Sequence, residues 1–437
     1  MSLDYSGEVL QAVSSVSPGP VALVSGGLAM GGSTTFLCNL AGDLIRRHIP
    51  AEVLSFEQAN PLASDFARLN IPVACQDDRR VIFEDRLAAV LEALGRSKPN
   101  VVVANLSAMS FEVLRYVPAG VFRVGVVHAD HPGVYQMVRH YPPHLDLLAV
   151  VSETIKRQLE AVPQFSQVPI KYLPLGVPMP AETPNRSFSG PLRILYLGRL
   201  AREQKRVHLF PEILAGLKSA GIPFHWTIAG EGPEAAWLED AMKGDPQENS
   251  PRTGQTGRSE ARVSFRGRVS YAEVPGLLAE HDVFLLASDY EGLPLGVLEA
   301  MGSGLVTVVS DLPSGIRELV DQHTGRRVAP DNVAGYADAI VWLHEHRAEM
   351  ARLSANAREK VRREFSVAAM TDRWLGAFPE APTAPDWPRR WKIQPPLTSP
   401  ASFRFSKPGR VIRRIWFKLK RLRALVEREA RRALAGG

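Results

Sequence analysis

Cysteine is scarce in this chain, which has only Cys38 and Cys75 among its 437 residues. Two cysteines exclude a disulfide framework and supply no metal-ligand spacing, so a reducing, cytoplasmic setting is expected. The N-terminal residues lack the basic start and apolar run of a secretory signal. Apolar stretches also stay below the ~18 residues that a membrane-spanning helix needs, so no transmembrane helix is expected.

Excess positive charge is also lacking, except at the C-terminus. From Arg404 onward there are twelve Lys or Arg and two Glu, whereas the rest of the chain has 40 basic and 44 acidic residues. A slightly acidic body argues against nucleic acid as its partner. A chain of this length exceeds what one hydrophobic core usually serves, and two domains are expected.

Short, continuous apolar runs recur along the chain, and helix-like stretches separate them. Such runs are typical of parallel strands buried on both faces, and the β-α-β rhythm occurs twice. The sequence therefore predicts an α/β protein with two Rossmann-like, doubly wound domains. The predicted strands are VALVS, AEVLSF, NVVVANL, VFRVGVVH and LLAVVS in the first half, and LRILYLG, FHWTIAG, RVSFRG, DVFLLAS and LVTVVS in the second.

Composition indicates the boundaries between these parts. The polar stretch 181–190 is the predicted hinge, and an irregular stretch from Gly244 is a predicted surface insertion. Eight prolines in residues 379–408 exclude regular helix there. The last helix before residue 378 is a candidate to pack back on the first domain. The predicted parts are an N-terminal domain, a C-terminal domain, a Pro-rich linker and a basic amphipathic helix: 1–180, 191–378, 379–408 and 409–437.

The most informative segment is ASDYEGLPLGVLEAMGSG, which follows the predicted strand VFLLAS. Gly292 allows a tight turn, Pro294 suits a first helical turn, and a helix is predicted through Glu299. This arrangement places unpaired N–H groups at the carboxyl edge of a parallel sheet, where diphosphates bind. Carboxylates on either side suit sugar hydroxyls, so the segment indicates a nucleotide sugar. Two solvated or capping glutamates are the simpler alternative.

The pattern Glu-x7-Glu, with the Ala-Met and Ser-Asp segments that follow it, closely resembles the retaining GT-B glycosyltransferases of family 4. The resemblance implies that Glu291 contacts the donor sugar and Glu299 the nucleotide ribose. Residues between them would line the donor site: Gly292, Leu293, Pro294 and Leu295. It also implies two domains that face each other across a cleft.

Further motifs extend the resemblance over residues 21–378. In LYLGRLAREQKRVHLF, Arg199 and Lys205 match the pair that neutralises the donor diphosphate in this family, with Arg206 as an alternative to Lys205. A solvated basic helix start is the other interpretation. Gly230 and Gly232, in TIAGEGP, resemble the loop beside the nucleotide base, or they form only a tight turn.

The first half has fewer such signals. Gly31 and Gly32 resemble the family's glycine-rich loop near the donor phosphates, although a plain helix start capped by Ser33 explains them too. His128 follows an apolar run at the end of a predicted strand. The family commonly has a histidine there that faces the donor sugar, and a structural histidine is the alternative.

We therefore expect a retaining glycosyltransferase that acts on a lipid-linked or polysaccharide acceptor. Its predicted catalytic residues are His128, Arg199, Lys205 and Glu291. No Asp-x-Asp occurs, so no metal and no other cofactor are expected. Two alternatives stay open: a GT-B enzyme such as a nucleotide-sugar 2-epimerase, and a non-catalytic membrane-associated scaffold.

The C-terminal stretch 409–437 has apolar residues on one helical face and basic residues elsewhere. This pattern suits an anionic membrane surface, so we expect peripheral attachment at the inner face of the cell membrane. Packing of this helix on a partner or on the body is the alternative, and nucleic acid is a weaker one. The apolar residues are Ile412, Ile415, Trp416, Leu419, Leu422, Leu425 and Val426.

Overall fold

The structure is a computed structural model of the whole chain. It describes Arg186 and the ranges 17–29, 31–57, 63–75, 82–180, 188–243, 261–380 and 385–398, with the backbone of 3–4. Most of the predicted hinge and surface insertion, and all of the predicted basic helix 409–437, lie outside these residues. Those expectations therefore stay predictions.

The N-terminal unit contains a parallel sheet and the helices that connect its strands. Its strands are β1 (Leu3–Asp4), β2 (Val21–Ser25), β3 (Ala51–Ser55), β4 (Val73–Cys75), β5 (Val101–Asn105), β6 (Phe122–Val127), β7 (Leu147–Val150), β8 (Ile170–Tyr172) and β9 (Met179–Pro180). Its helices are α1 (Gly32–Arg46), α2 (Ala63–Arg68), α3 (Phe83–Ser97), α4 (Ala108–Val113), α5 (Pro132–Val138) and α6 (Glu153–Glu160).

The C-terminal unit has the same organisation. Its strands are β10 (Leu192–Leu197), β11 (Phe224–Ala229), β12 (Ala261–Gly267), β13 (Val283–Leu286), β14 (Val306–Ser310) and β15 (Gly325–Val328). Its helices are α7 (Phe210–Ser219), α8 (Ala235–Met242), α9 (Val274–Ala279), α10 (Leu295–Gly302), α11 (Ile316–Leu319), α12 (Val333–Glu345), α13 (Arg347–Glu364) and α14 (Val367–Leu375). Short 3-10 turns are Leu114–Tyr116, Pro142–His144, Pro163–Phe165 and Val207–Leu209.

Both sheets are doubly wound. The strand order is β4-β3-β2-β5-β6-β7-β8 in the first sheet and β12-β11-β10-β13-β14-β15 in the second, with all neighbours parallel. In each sheet the winding direction reverses once, between β2 and β5 and between β10 and β13. Ligands bind at such a switch point, outside the carboxyl ends of the strands. The fold thus assigns one candidate ligand-binding edge to each unit.

All ten predicted strands are confirmed, because continuous apolar runs such as β2, β5 and β14 are buried along their whole length. Strands β4, β8 and β15 were missed, since they are short edge strands with partly exposed residues. The two-residue strands β1 and β9, which pair antiparallel outside the two sheets, were missed as well. The prediction that every such strand is buried on both faces was wrong for β12. It lies at an edge of its sheet and has no fully buried residue.

The chain returns to the N-terminal unit after completing the C-terminal one. Helix α14 packs on α1: the rings of Phe36 and Trp374 lie 5.5 Å apart, and Arg47 Nη1 lies 2.5 Å from Asp372 Oδ1. Val177 and Ser366 form a parallel bridge between the units. The two units therefore share one continuous apolar core.

Residues 385–398, within the predicted Pro-rich linker, have no helix or strand but lie against the N-terminal unit. We call this segment the strap. Trp387 is buried, Trp391 Nε1 donates to the Tyr116 carbonyl at 3.3 Å, and the Leu397 amide donates to Glu112 Oε2 at 3.2 Å. Over the ranges that the structure covers, no helix is long and apolar enough to cross a membrane.

Removing the Trp374 ring tests the packing of α14 on α1. Trp374 is fully buried, so Trp374→Ala leaves a large cavity and should lower the free energy of unfolding by about 3–5 kcal/mol. Urea denaturation followed by fluorescence measures this change. Trp237, which is 42% exposed, is the control: Trp237→Ala should change stability by less than about 1 kcal/mol. Equal effects of the two substitutions would contradict the packing described.

Candidate functional site

The switch points of the two sheets lie against each other. A Cβ atom placed on Gly292, which follows β13, would lie 1.9 Å from the carbonyl oxygen of His128, which follows β6. A Cβ atom on Gly32, at the start of α1, would lie 3.3 Å from Leu295 Cδ1, at the start of α10. Only glycine permits the first of these approaches. The loops of the two units thus form the opposite walls of one cleft.

Lys205 and Glu291 come together on the C-terminal wall. Lys205 Nζ lies 2.5 Å from Glu291 Oε1, and Ser288 Oγ donates to the same oxygen at 2.7 Å. Two hydrogen bonds hold their loops together. The Asp289 amide donates to the Gln204 carbonyl at 2.8 Å, and the side-chain Nε2 of Gln204 donates to the Tyr290 carbonyl at 3.4 Å. Two predicted catalytic residues are therefore in direct contact at the switch point.

The neighbouring arginines point in different directions. Arg199 is exposed at the cleft, and its Nη2 donates to Gln204 Oε1 at 3.1 Å. Arg206 donates instead to the Pro330 carbonyl at 3.0 Å. Its φ of +48° turns the chain at this point. Of the two alternatives that the sequence left open, Lys205 is the one that contacts Glu291. The basic residues precede a 3-10 turn, and α7 begins only at Phe210.

Helix α10 begins at Leu295, with Pro294 as its N-cap residue and no side-chain cap. The amides of Val297 and Leu298 donate to the Pro294 carbonyl, whereas those of Leu295 and Gly296 find no acceptor within the described part of the chain. Leu293, Pro294 and Leu295 are buried. These amides and the helix dipole make the start of α10 attractive to an anion.

Glu299 lies one turn further along α10. Its side chain is partly buried and makes no hydrogen bond or ion pair with any described residue. Burial raises its pKa from 4.5 to about 7. A carboxyl group without a partner among the described residues is available for ligand hydroxyls.

The Gly230–Gly232 loop packs tightly on the loop that carries Arg199. A Cβ atom on Gly230 would lie 1.9 Å from the Gly198 carbonyl oxygen, and one on Gly232 would lie 2.1 Å from that of Leu200. Gly230 has φ +141°, and its amide donates to the Gly267 carbonyl at 2.7 Å. Close backbone packing therefore explains both glycines. A place beside a nucleotide base stays a prediction.

His128 follows β6 on the N-terminal wall. Its Nε2 lies 2.6 Å from Asn105 Oδ1, and its ring meets that of Phe36 edge to face at 5.1 Å. Burial lowers the pKa of His128 to about 3, so the ring is neutral at physiological pH. Its Nδ1 is buried without a partner among the described groups. A neutral ring cannot act as a general acid here.

Gly31 is the N-cap residue of α1, and its carbonyl accepts the amides of Thr34 and Thr35. Ser33 does not cap the helix, so that alternative was wrong: α1 begins one residue earlier, at Gly32. The first turn of α1 has neither a side-chain cap nor an acidic residue. Gly31 and Gly32 are both exposed, and Gly32 lies opposite the start of α10.

Two residues of the site were missed from the sequence. Ser288 bonds Glu291, and Asn105 bonds His128. Each stands at or just after the carboxyl end of a strand beside a switch point, which is the signal that could have identified it. Within the described residues, no group of three or more His, Cys, Asp or Glu is placed to hold a metal ion.

Comparisons with known proteins show what this chain is similar to. Residues 191–346 match the family model described as glycosyl transferases group 1. The chain is 27% identical over 289 residues to the putative colanic acid biosynthesis glycosyltransferase WcaL of Escherichia coli, covering 62% of this chain and 68% of the relative. It is 34% identical over 183 residues to the amylovoran biosynthesis glycosyltransferase AmsK of Erwinia amylovora, covering 40% and 42%.

Solved structures share the fold. A TarM mutant of S. aureus, crystallised with fondaparinux, alpha-GlcNAc-glycerol and UDP, superposes with a TM-score of 0.66 at 14% identity. Anabaena Alr3699/HepE in complex with UDP superposes with a TM-score of 0.63 at 17% identity. Each match covers 82% of this chain and 99% of the other. The predicted two-domain GT-B fold is thereby confirmed.

Gly292→Ala tests the contact between the two walls. The new methyl group cannot fit beside the His128 carbonyl, so the loop or the units must shift, at an expected cost of about 1–3 kcal/mol in stability. The melting temperature measures this. Gly276→Ala in α9 is the matched control, because a Cβ atom there meets nothing within 4 Å. An unchanged melting temperature for Gly292→Ala would show that the walls do not touch.

Glu299→Gln tests the raised pKa of Glu299. Between pH 4.5 and about 7 the folded protein holds this proton more tightly than the unfolded chain does, so stability falls as the pH rises through this window. Gln cannot ionise. Glu299→Gln should therefore raise the melting temperature at pH 8 more than at pH 4.5, in scans at both pH values. Glu160→Gln on the exposed side of α6 should show no such difference. An effect of Glu299→Gln on the melting temperature that is the same at both pH values would contradict the raised pKa of Glu299.

Proposed function

We propose that this chain is a GT-B glycosyltransferase that transfers a sugar with retention and without a metal ion. The match of residues 191–346 to the family model and the shared fold support this proposal. The donor is a nucleotide-diphosphate sugar bound on the C-terminal wall of the cleft. The observation that carries this proposal is the contact of Lys205 with Glu291 beside the uncapped start of α10.

Positive charge for a diphosphate comes from three sources that lie side by side. Lys205 carries a point charge, Arg199 offers a planar fork of donors, and the start of α10 adds unpaired amides and the helix dipole. These groups would stabilise the negative charge that develops as the nucleotide diphosphate leaves. They do what a divalent metal ion does in other sites, which supports the proposal of metal independence.

The two glutamates suit the ends of such a donor. Glu291 is held in place by Lys205 and Ser288, and its position at the switch point suits the sugar hydroxyls. Glu299 has no partner among the residues that the structure describes, and its location on α10 suits the ribose hydroxyls. Because the pKa of His128 is far below neutrality, a leaving phosphate oxygen is the better acceptor for the proton of the incoming hydroxyl.

Two observations support a proposal for the acceptor: the names of the relatives and the amphipathic sequence pattern of residues 409–437. WcaL and AmsK are named for the biosynthesis of colanic acid and amylovoran, so we propose that the chain acts in polysaccharide or glycolipid synthesis. A basic amphipathic helix at 409–437 would keep the enzyme at an anionic membrane surface, where lipid-linked acceptors are found. The body needs no nucleic acid for this role.

Arg199→Ala and Lys205→Ala test the assignment of the diphosphate site. Each removes a charge that stabilises the leaving group, so turnover of the donor should fall about 100-fold or more. The donor is first found by a thermal-shift screen of UDP, GDP and their sugars. Turnover is then measured as nucleotide release with and without acceptor extracts.

Arg202→Ala is the matched control, because Arg202 in the same loop pairs with Glu234. Near-wild-type turnover in Lys205→Ala would refute the assignment. Epimerisation of the donor without any acceptor would instead identify the chain as a 2-epimerase. Failure of every nucleotide to raise the melting temperature would favour a scaffold.

Liposome flotation tests the role of 409–437. The full chain should float with vesicles that contain phosphatidylserine and should be released by high salt, because the attraction is electrostatic in part. A chain that ends at residue 403 should not float. Binding to neutral and anionic vesicles alike, or flotation of the shortened chain, would contradict the proposal.

A further inference from the structure

Glu318 connects the two units of the protein. It belongs to α11 of the C-terminal unit, yet its Oε1 accepts a hydrogen bond from the backbone amide of Glu153 at 2.7 Å. Glu153 is the first residue of α6, which follows β7 of the N-terminal sheet. Helix α11 follows β14 of the other sheet. The bond therefore joins the two units at the carboxyl edges of their sheets.

The start of α6 needs this acceptor. The first amides of a helix have no acceptor within the helix itself. Ser152 is the N-cap residue of α6, and its hydroxyl oxygen accepts the amide of Ile155 at 3.2 Å. The amide of Glu153 has its acceptor in Glu318 instead. A carboxylate at this end also interacts favourably with the helix dipole. Helix α6 is thus completed by a side chain of the other unit.

Glu318 is partly buried and faces groups of opposing effect. Burial raises the pKa of its carboxyl group, and the side chain of Glu153 adds to this rise. The Tyr172 hydroxyl, the Glu153 amide and Arg157 oppose the rise. Because the Glu153 side chain repels the Glu318 carboxylate, the bond is weaker than that of an isolated pair. A bond of this strength can break and re-form.

Helix α11 connects this bond to the loop that carries Glu291. Gly315 is the N-cap residue of α11, three residues before Glu318, and its amide donates to the Gly292 carbonyl at 2.8 Å. A Cβ atom on Gly315 would lie 2.4 Å from the same carbonyl oxygen. Gly292 directly follows Glu291 and packs against the carbonyl oxygen of His128. One short helix is therefore attached both to α6 and to the loop of Glu291.

Other links between the units do not include this loop. The packing of α14 on α1 and the bridge of Val177 with Ser366 lie where the chain returns to the N-terminal unit. The Tyr271 hydroxyl donates to Asn39 Oδ1 at 3.3 Å, which is a longer bond, and Tyr271 lies between β12 and α9. The bond of Glu318 is thus the polar link that leads, through α11, to Glu291.

We propose that Glu318 is a positioning residue: it fastens α6 to α11 and thereby holds the loop of Glu291 against the N-terminal wall at the spacing that turnover requires. Glu318 itself touches no substrate. Without its bond the two walls separate more often, although each wall keeps its own side chains in place. The nucleotide, which the C-terminal wall holds alone, is then bound as before, whereas a step that needs both walls is slowed. This inference rests on the proposed function.

Two substitutions break the bond from opposite sides. Glu318→Ala removes the acceptor, and Glu153→Pro removes the donor amide. Proline suits the first position of a helix, and Ser152 already has the extended backbone that a residue before proline adopts. Glu153→Ala is the matched control, because it removes the same side chain as Glu153→Pro but keeps the amide.

Turnover and nucleotide binding separate positioning from binding. Turnover is measured as nucleotide release with acceptor extracts, and nucleotide affinity by calorimetry with UDP and GDP. In Glu318→Ala and in Glu153→Pro, kcat should fall about 10-fold, which corresponds to the loss of one hydrogen bond. The Kd of the nucleotide should stay unchanged in both. The double variant should lose no more than either single one, because both changes break the same bond.

Small-angle X-ray scattering of the full chain without ligand tests the link itself. Glu318→Ala and Glu153→Pro should have a larger radius of gyration than wild type, and Glu153→Ala should match wild type. Wild-type kcat or an unchanged radius in both bond-breaking variants would overturn the proposal. So would a Kd that rises in step with the loss of kcat, because Glu318 would then act in binding.

The two proposals fail in different ways. If neither UDP nor GDP binds wild type, the proposed function is refuted, while the scattering still decides whether Glu318 holds the units together. If Glu318→Ala does not fold, Glu153→Pro tests the same bond from the other side.

Discussion

The cleft between the two sheets depends on the close approach of Gly292 to the carbonyl oxygen of His128. Two backbones meet there without a side chain between them, so the carboxyl edges of both sheets reach one cleft. Each edge alone offers only part of a site. The C-terminal edge carries charge and carboxylates, and the N-terminal edge carries a neutral imidazole and a glycine-rich helix start. Their combination suits a ligand that is anionic at one end and rich in hydroxyl groups at the other.

The charges of Lys205 and Glu291 are paired within this cleft. Lys205 and Glu291 neutralise each other in the structure, and Ser288 supplies a further hydrogen bond to the carboxylate. A pair of this kind holds both side chains in defined positions before a ligand arrives, which lowers the cost of ordering them on binding. Glu299 differs, since no residue in the described part of the chain pairs with it and burial raises its pKa to about 7.

Much of the fold was predictable, because strands buried on both faces must be continuously apolar, and β2, β5 and β14 are. Edge strands such as β15 were not predictable in this way, since a partly exposed strand can contain polar residues and need not be continuously apolar. Local motifs predicted Glu291 and Lys205. Asn105 was missed, although its place at the carboxyl end of β5 was an available signal, because its contact with His128 arises only where β5 and β6 are neighbours in the sheet.

The N-terminal unit is finished by residues that are synthesised last. Helix α14 packs on Phe36 and the strap donates a hydrogen bond to Glu112, yet both segments follow the sheet of the C-terminal unit in the chain. A nascent N-terminal unit therefore leaves the ribosome with part of its apolar surface uncovered. The first unit to be made becomes the last to be completed, and the cleft between the units exists only once both of them have been made.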